Sequence, residues 1–221
     1  FGDYIWYCMM QIRNEVATMR YRSNGKWSCP MVIRVPVGGY IHGSLCHSQS
    51  IDGYFTHLPG IYIAYPSNAS DAKGLLKMAC RMEDPVIFME HKGLYRQGYA
   101  SSPEPDENYL IPFGKAKIVQ DGNELTIVTW GALVNKAIEA VQNTEISAEI
   151  IDLRTISPLD WNSVFSSVKK TGYLLALDTG HATGSFAGEV VARVAMECWA
   201  GLKGPPRRLA MPDFPEGSSP A

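Results

Sequence analysis

The five cysteines of this chain (Cys8, Cys29, Cys46, Cys80, Cys198) include no C-x-x-C pair and no spacing typical of zinc ligands or a disulfide framework. An odd, scattered set of this kind predicts reduced thiols in an intracellular protein. Basic excess is also missing: 20 Lys and Arg stand against 22 Asp and Glu, a formal net charge of -2. Neither nucleic acid nor an anionic membrane finds an electrostatic footprint here. No apolar run approaches the roughly 18 to 20 residues that cross a bilayer, and no basic-then-apolar leader opens the chain, so a soluble protein is expected. Gly38-Gly39…Gly43 lacks the Gly-Lys-Ser/Thr ending of a phosphate loop, and Gly180…Gly184…Gly188 lacks the dinucleotide spacing, so both read as tight strand-to-helix turns. His42, His47 and His57 do not share a helical face and have no carboxylate in a ligand pattern, which argues against a metal site.

What is present suits a globular protein. The 221 residues are 46% hydrophobic, 10% aromatic and 19% charged, enough to bury a core in two α/β units of similar size. Ile5, Met9, Ile12, Val16 and Met19 recur at helical spacing and are followed by the turn Ser23-Asn24-Gly25. Met31 to Val37 is a β-branched run that predicts a buried strand, and a helix is expected over 44–57, with His57 capping its end. The unit repeats as strand 61–65, helix 70–81 begun by Ser70 and Asp71, and strand 85–90, a rhythm that predicts a parallel sheet. The aperiodic stretch from His91 to Pro112 points to the expected linker, set at 101–113. Beyond it, Asp121-Gly122 between 115–119 and 125–130 reads as a hairpin turn. Helix 132–142, strand 148–153, helix 158–170 with Pro158 in its first turn, strand 173–178, helix 186–200 and a short strand 207–210 follow. A Pro/Gly/Ser tail ends the chain. The expected organisation is two α/β domains in series, 1–100 and 114–221.

Ligands in open parallel sheets bind at the carboxyl ends of strands. His47 follows the first strand there, near the expected start of a helix whose N-terminus would favour a neutral imidazole. Position alone leaves functional and structural readings of His47 open.

Several stretches then carry a resemblance. They are Ile33-Arg34-Val35-Pro36-Val37-Gly38-Gly39, His47-Ser48-Gln49-Ser50, Leu58-Pro59-Gly60-Ile61, Asp71-Ala72-Lys73-Gly74-Leu75-Leu76 and Glu90-His91-Lys92-Gly93-Leu94-Tyr95-Arg96. Ile111-Pro112-Phe113-Gly114-Lys115-Ala116 and Ile151-Asp152-Leu153-Arg154-Thr155-Ile156-Ser157-Pro158 continue the series in the second half. In this order the chain resembles the beta subunit, or the beta half of a fused chain, of thiamine-diphosphate-dependent 2-oxo acid dehydrogenases of the transketolase-like superfamily.

The resemblance implies a partial pyrimidine-binding parallel α/β domain followed by a transketolase-type C-terminal domain truncated at its end. It implies oxidative decarboxylation of a 2-oxo acid and transfer of the acyl group to a lipoyl domain, with a slight preference for branched-chain substrates over pyruvate. Tyr4, within Phe1-Gly2-Asp3-Tyr4-Ile5, would face the aminopyrimidine of thiamine diphosphate, and His47 would exchange protons beside the reactive carbon. Mg²⁺ and the diphosphate would belong to an alpha subunit or alpha half, in keeping with the lack of a Gly-Asp-Gly motif. A second copy of the chain and a lipoyl domain are the other implied partners. The bacterial cytoplasm or a mitochondrial matrix is the implied location. The activating glutamate of the family is expected upstream of Phe1. Met82 stands where the family's structural K⁺ site has an Asp, which speaks against that ion. The rival readings are a transketolase or deoxyxylulose-phosphate synthase-like enzyme, and a non-catalytic assembly subunit.

Overall fold

In the computed structural model, which describes residues 1–215 and 217, the chain forms two sheets flanked by helices. The expected Pro/Gly/Ser tail lies for the most part outside the described residues. The first sheet has the order β1-β3-β2-β7, from Val32–Val37, Val86–His91, Tyr62–Ala64 and Thr155–Ser157. Strands β1, β3 and β2 run parallel, while β7 pairs antiparallel with β2, Ile63 opposite Ser157. The second sheet has the order β4-β6-β5-β8-β9, from Lys117–Gln120, Ala148–Asp152, Leu125–Thr129, Leu174–His181 and Arg207–Met211. Its edge strand β4 is antiparallel to β6 and the remaining pairs are parallel. Both sheets are therefore mixed; in the first, where a parallel sheet was expected, the antiparallel strand is β7.

Residue type accounts for the central strands. β3 and β6 are covered on both faces, so apolar side chains are buried there without alternation, Val86 to Met89 and Ile150-Ile151. One apolar cluster runs through both sheets, from Val35, Ile63 and Met89 to Ile151, Val164 and Val190. The domains thus share a core.

Local signals were overruled in identifiable places. No hairpin forms at Asp121-Gly122. β6 lies between β4 and β5, and Gly122 is not among the residues with positive φ, as a two-residue hairpin turn demands. Its small size serves packing instead, because a Cβ there would lie 2.2 Å from the carbonyl carbon of Ala148. The helix Ala69–Ala79 is capped by Asn68, whose side chain accepts from Asp71 N, so Ser70 and Asp71 lie inside the first turn. The helix Trp161–Thr171 begins after Asp160, its cap, leaving Pro158 outside. The expected helix over 44–57 is two separate turns, Leu45–His47 and Asp52–Phe55, and the cap of the second is Thr56 rather than His57, which is exposed. Phe1 to Arg22 coils through 3-10, α and π turns, with Ile12 the buried member of the expected face.

The aperiodic segment before Gly114 is pinned down. Lys73 Nζ bonds Glu104 and the Pro105 carbonyl at 2.9 and 2.6 Å, Ser102 Oγ accepts from Ser70 N, and Ile111 packs with Leu75 and Phe88. A further joint ties the domains. Arg154, at φ +60 between β6 and β7, forks onto Asp71 with Nε and Nη2 bonds of 2.9 and 2.8 Å. Asp152 accepts from Ser67 Oγ at 2.5 Å and from Arg154 N at 2.9 Å, and burial raises its pKa to about 6. The stretches of the resemblance that begin at Asp71 and contain Asp152-Leu153-Arg154-Thr155 therefore meet as structure.

Candidate active site

β1 ends at Val37 and the chain turns at Gly38, which has φ +77 and sits so close to the His91 ring that a Cβ would lie 2.2 Å from Nε2. Tyr40, His42 and Ser44 follow with φ of 93, 56 and 69°, left-handed values that side chains resist and that concentrate at functional loops. The single 3-10 turn Leu45–His47 comes next. His47 is thus in the last position of a short turn, and the helix-dipole argument for its protonation does not apply. Gly43 admits its approach, since a Cβ there would be 2.8 Å from His47 Cβ.

The structure brings the two candidate residues together. The rings of Tyr4 and His47 meet edge to face, their centroids 5.4 Å apart, and Phe1 approaches His47 more closely, at 4.4 Å and 84°. Phe1 was not singled out by the sequence, although it opens the same motif as Tyr4. Tyr4 and Phe1 are each about half exposed, at 48% and 51%. Two buried polar atoms here, Asp3 Oδ2 and His47 Nδ1, have no hydrogen-bond partner among the described residues. Two half-exposed aromatic rings gathered on an imidazole fit a flat, nitrogen-bearing ring such as the aminopyrimidine of thiamine diphosphate.

Besides the bond from His47 N to Ser44 O at 3.2 Å, four bonds hold the His47 turn. Ser48 Oγ donates to Ser44 O at 2.8 Å, Gln49 Nε2 to Leu45 O at 2.9 Å, Gly38 N to Gln49 O at 3.1 Å and Gln49 N to Asp3 Oδ1 at 3.1 Å. Beneath them the end of β3 and the turn after it carry two further charged or titratable groups that the sequence marked only as part of a motif. Lys92 is buried, with Nζ 5.4 Å from the Phe1 centroid, a cation over an aromatic ring. Burial, helped by the Lys92 charge, lowers the His91 pKa to about 4. Gly93 N donates to His91 Nδ1 at 3.0 Å, so neutral His91 carries its proton on Nε2. Glu90 also remains charged: burial opposes this, but the bonds from Arg34 and Tyr95 prevail and lower its pKa.

A cavity of about 860 Å³ opens beyond Gln49 and Ser50, at the carboxyl end of β8. It lies where the second sheet reverses its strand order between β5 and β8, the usual crevice of such sheets. Two buried carboxylates form part of its lining. Trp130 Nε1 donates to Asp52 Oδ2 at 2.9 Å, and Asp178 accepts from Gly180 N and Ser185 Oγ at 2.8 and 2.7 Å. Among the described residues no three His, Cys, Asp or Glu side chains gather as a metal site. The acids before β3, Glu83 and Asp84, are paired with Arg20.

The family model "Transketolase, pyrimidine binding domain" matches residues 1–97, and "Transketolase, C-terminal domain" matches residues 114–221. The chain belongs to the transketolase-like family. Among curated relatives it is 44% identical over 218 residues to the 2-oxoisovalerate dehydrogenase subunit beta of Bacillus subtilis, covering 97% of this chain and 66% of the relative. It is 40% identical over 216 residues to the pyruvate dehydrogenase E1 component subunit beta of the same organism, covering 96% and 66%. It is also 41% identical over 223 residues to the acetoin:2,6-dichlorophenolindophenol oxidoreductase subunit beta of Cupriavidus necator, covering 100% and 65%. The chain thus spans about two thirds of the length of these relatives. Among solved structures it matches a split gene transketolase described as an inactive beta4 tetramer, with a TM-score of 0.75 at 19% identity, over 97% of this chain and 66% of that one. That likeness shows the fold. No helix among the described residues is long and apolar enough to cross a membrane.

Proposed function

We propose that this chain is part of the beta subunit, or beta half, of a 2-oxo acid dehydrogenase that decarboxylates its substrate with thiamine diphosphate and passes the acyl group to a lipoyl domain. The observation that carries the reading is the meeting of half-exposed Tyr4 and Phe1 on His47, in a chain 40 to 44% identical to two such beta subunits.

In this reading the ring faces of Tyr4 and Phe1 hold the aminopyrimidine and exclude water from it. The bound cofactor supplies the carbon nucleophile that makes loss of CO₂ feasible. His47 exchanges a proton with the acyl acceptor, at one of its two ring nitrogens. Lys92 places a positive charge beneath Phe1, which favours the approach of an anionic 2-oxo acid. Mg²⁺ and the diphosphate are assigned to an alpha subunit, and the assembly to two copies of each half. The cytoplasm of a bacterium or a mitochondrial matrix suits this role. A branched-chain 2-oxo acid is the first choice of substrate, because the branched-chain relative is the more similar of the two.

A second reading rests on the acetoin oxidoreductase subunit, which matches along the whole chain. The test is made on the complete enzyme with His47→Ala. Product formation from pyruvate, 2-oxoisovalerate, 2-oxoglutarate and acetoin identifies the substrate in the unmodified protein. Decarboxylation read with an artificial electron acceptor should then persist in the variant, while acylation of the lipoyl domain falls about 10² to 10⁴-fold. Equal loss of both half-reactions together with a lowered melting temperature overturns the role given to His47. Turnover of acetoin alone overturns the dehydrogenase reading.

A further inference from the structure

Asp3 precedes Tyr4 and reaches across to the turn that carries His47, where its Oδ1 accepts from Gln49 N at 3.1 Å. Among the bonds that fix this turn, it is the one that comes from the segment carrying Tyr4 and Phe1. Its other oxygen, Oδ2, is buried without a hydrogen-bond partner among the described residues, and so is His47 Nδ1. Buried polar atoms are rarely left unmatched. These two are complementary: an ionised carboxylate oxygen only accepts, and an imidazole nitrogen donates when it carries the proton.

We propose that Asp3 is the positioning residue of His47, its Oδ2 accepting from Nδ1–H through one bridging water. One carboxylate then does two things. Through Oδ1 it fixes where the His47 turn stands relative to Tyr4, and through Oδ2 it fixes which nitrogen holds the proton, leaving the Nε2 lone pair for exchange. The neighbouring His91 is held the opposite way, since its Nδ1 accepts from Gly93 N. Two histidines on adjacent segments are therefore set in opposite tautomers. The catalytic consequence rests on the proton-exchange role given to His47 above; the tautomer does not.

The experiment uses the complete enzyme with ¹⁵N-labelled histidine, at a pH above the ordinary imidazole pKa of about 6.5. Nitrogen chemical shifts should report Nδ1–H for His47 and Nε2–H for His91. Asp3→Asn retains a carbonyl oxygen for Gln49 N while presenting an amide donor toward Nδ1. In this variant His47 should switch to Nε2–H with an unchanged circular dichroism spectrum, and lipoyl acylation should fall about 10² to 10⁴-fold. An Nε2–H tautomer in the unmodified enzyme overturns the proposal whether or not the variant folds, as does a tautomer indifferent to the substitution. A switch of tautomer with undiminished acylation supports the Asp3–His47 link and overturns instead the proton-exchange role, so the two readings fail separately.

Discussion

Replacing Arg154 by methionine should destabilise the protein by about 3 to 5 kcal/mol, the range found when one member of a buried ion pair is removed. The structure places this pair in that class rather than among surface pairs, whose median is about 0 to 1 kcal/mol. The Asp71 side chain is 1% exposed and Arg154 13%, and the guanidinium fork meets both carboxylate oxygens. After the substitution Asp71 would keep the Asn68 side-chain amide at 3.1 Å and its place in the first helical turn, too little to satisfy a buried charge. The converse change, Asp71→Asn, should be milder, because Arg154 retains some access to water and the loss approaches that of a charged hydrogen bond, about 1.5 to 3 kcal/mol. For a chain of this size a loss of 3 to 5 kcal/mol corresponds to a fall in Tm of roughly 6 to 20 °C. Urea denaturation of both variants and of the double variant closes a cycle, in which the coupling should be favourable. An Arg154→Met loss below about 1 kcal/mol, or a larger loss for Asp71→Asn, would refute the argument that a desolvated carboxylate dominates this joint.

The pH profile of stability should be nearly flat between about 4 and 6, because two buried groups oppose one another. Burial raises Asp152 from 3.8 to about 6, so the folded state binds the extra proton and its contribution is lost as pH rises through that window. His91, lowered from 6.5 to about 4, works in reverse, contributing stability above 6.5 that is lost as pH falls. Asp152→Asn removes the first slope, and its stability relative to the unmodified protein should rise by about 3 kcal/mol between pH 4 and 6 in urea titrations; a difference independent of pH refutes this. Gly38→Ala should cost about 2 to 4 kcal/mol, since it adds a Cβ at a left-handed position and against the His91 ring, and a Tm within error of the parent would show that the turn can relax.

Much of the fold was legible because its strands are apolar runs bounded by Pro or Gly, and β1, β5 and β6 fall within a residue or two of expectation. Strand β7 was not, because three residues, Thr155–Ser157, are too few to display a period. The hairpin expectation failed because Asp-Gly is a local signal, while strand order was decided by burial of β6 between two neighbours. The cap at Asn68 went unseen because Asn68, Ser70 and Asp71 are all competent and only geometry selects among them. At the site, Tyr4 and His47 came from the family resemblance, since spacing cannot show a contact between residues so far apart in sequence. Asp3 and Lys92 carried no distinguishing signal, because their roles depend on burial.

Strand β7 also constrains how the chain matures during synthesis. The first sheet is complete only when Ser157 has paired with Ile63, after most of the second domain has been made. Until then β2 presents a naked strand edge to solvent or to other nascent chains, a template for misassociation. A fragment cut at the aperiodic segment before Gly114 would keep that edge permanently. The unit that nature or a protein engineer can transplant is therefore longer than the first domain, and extends at least through Ser157.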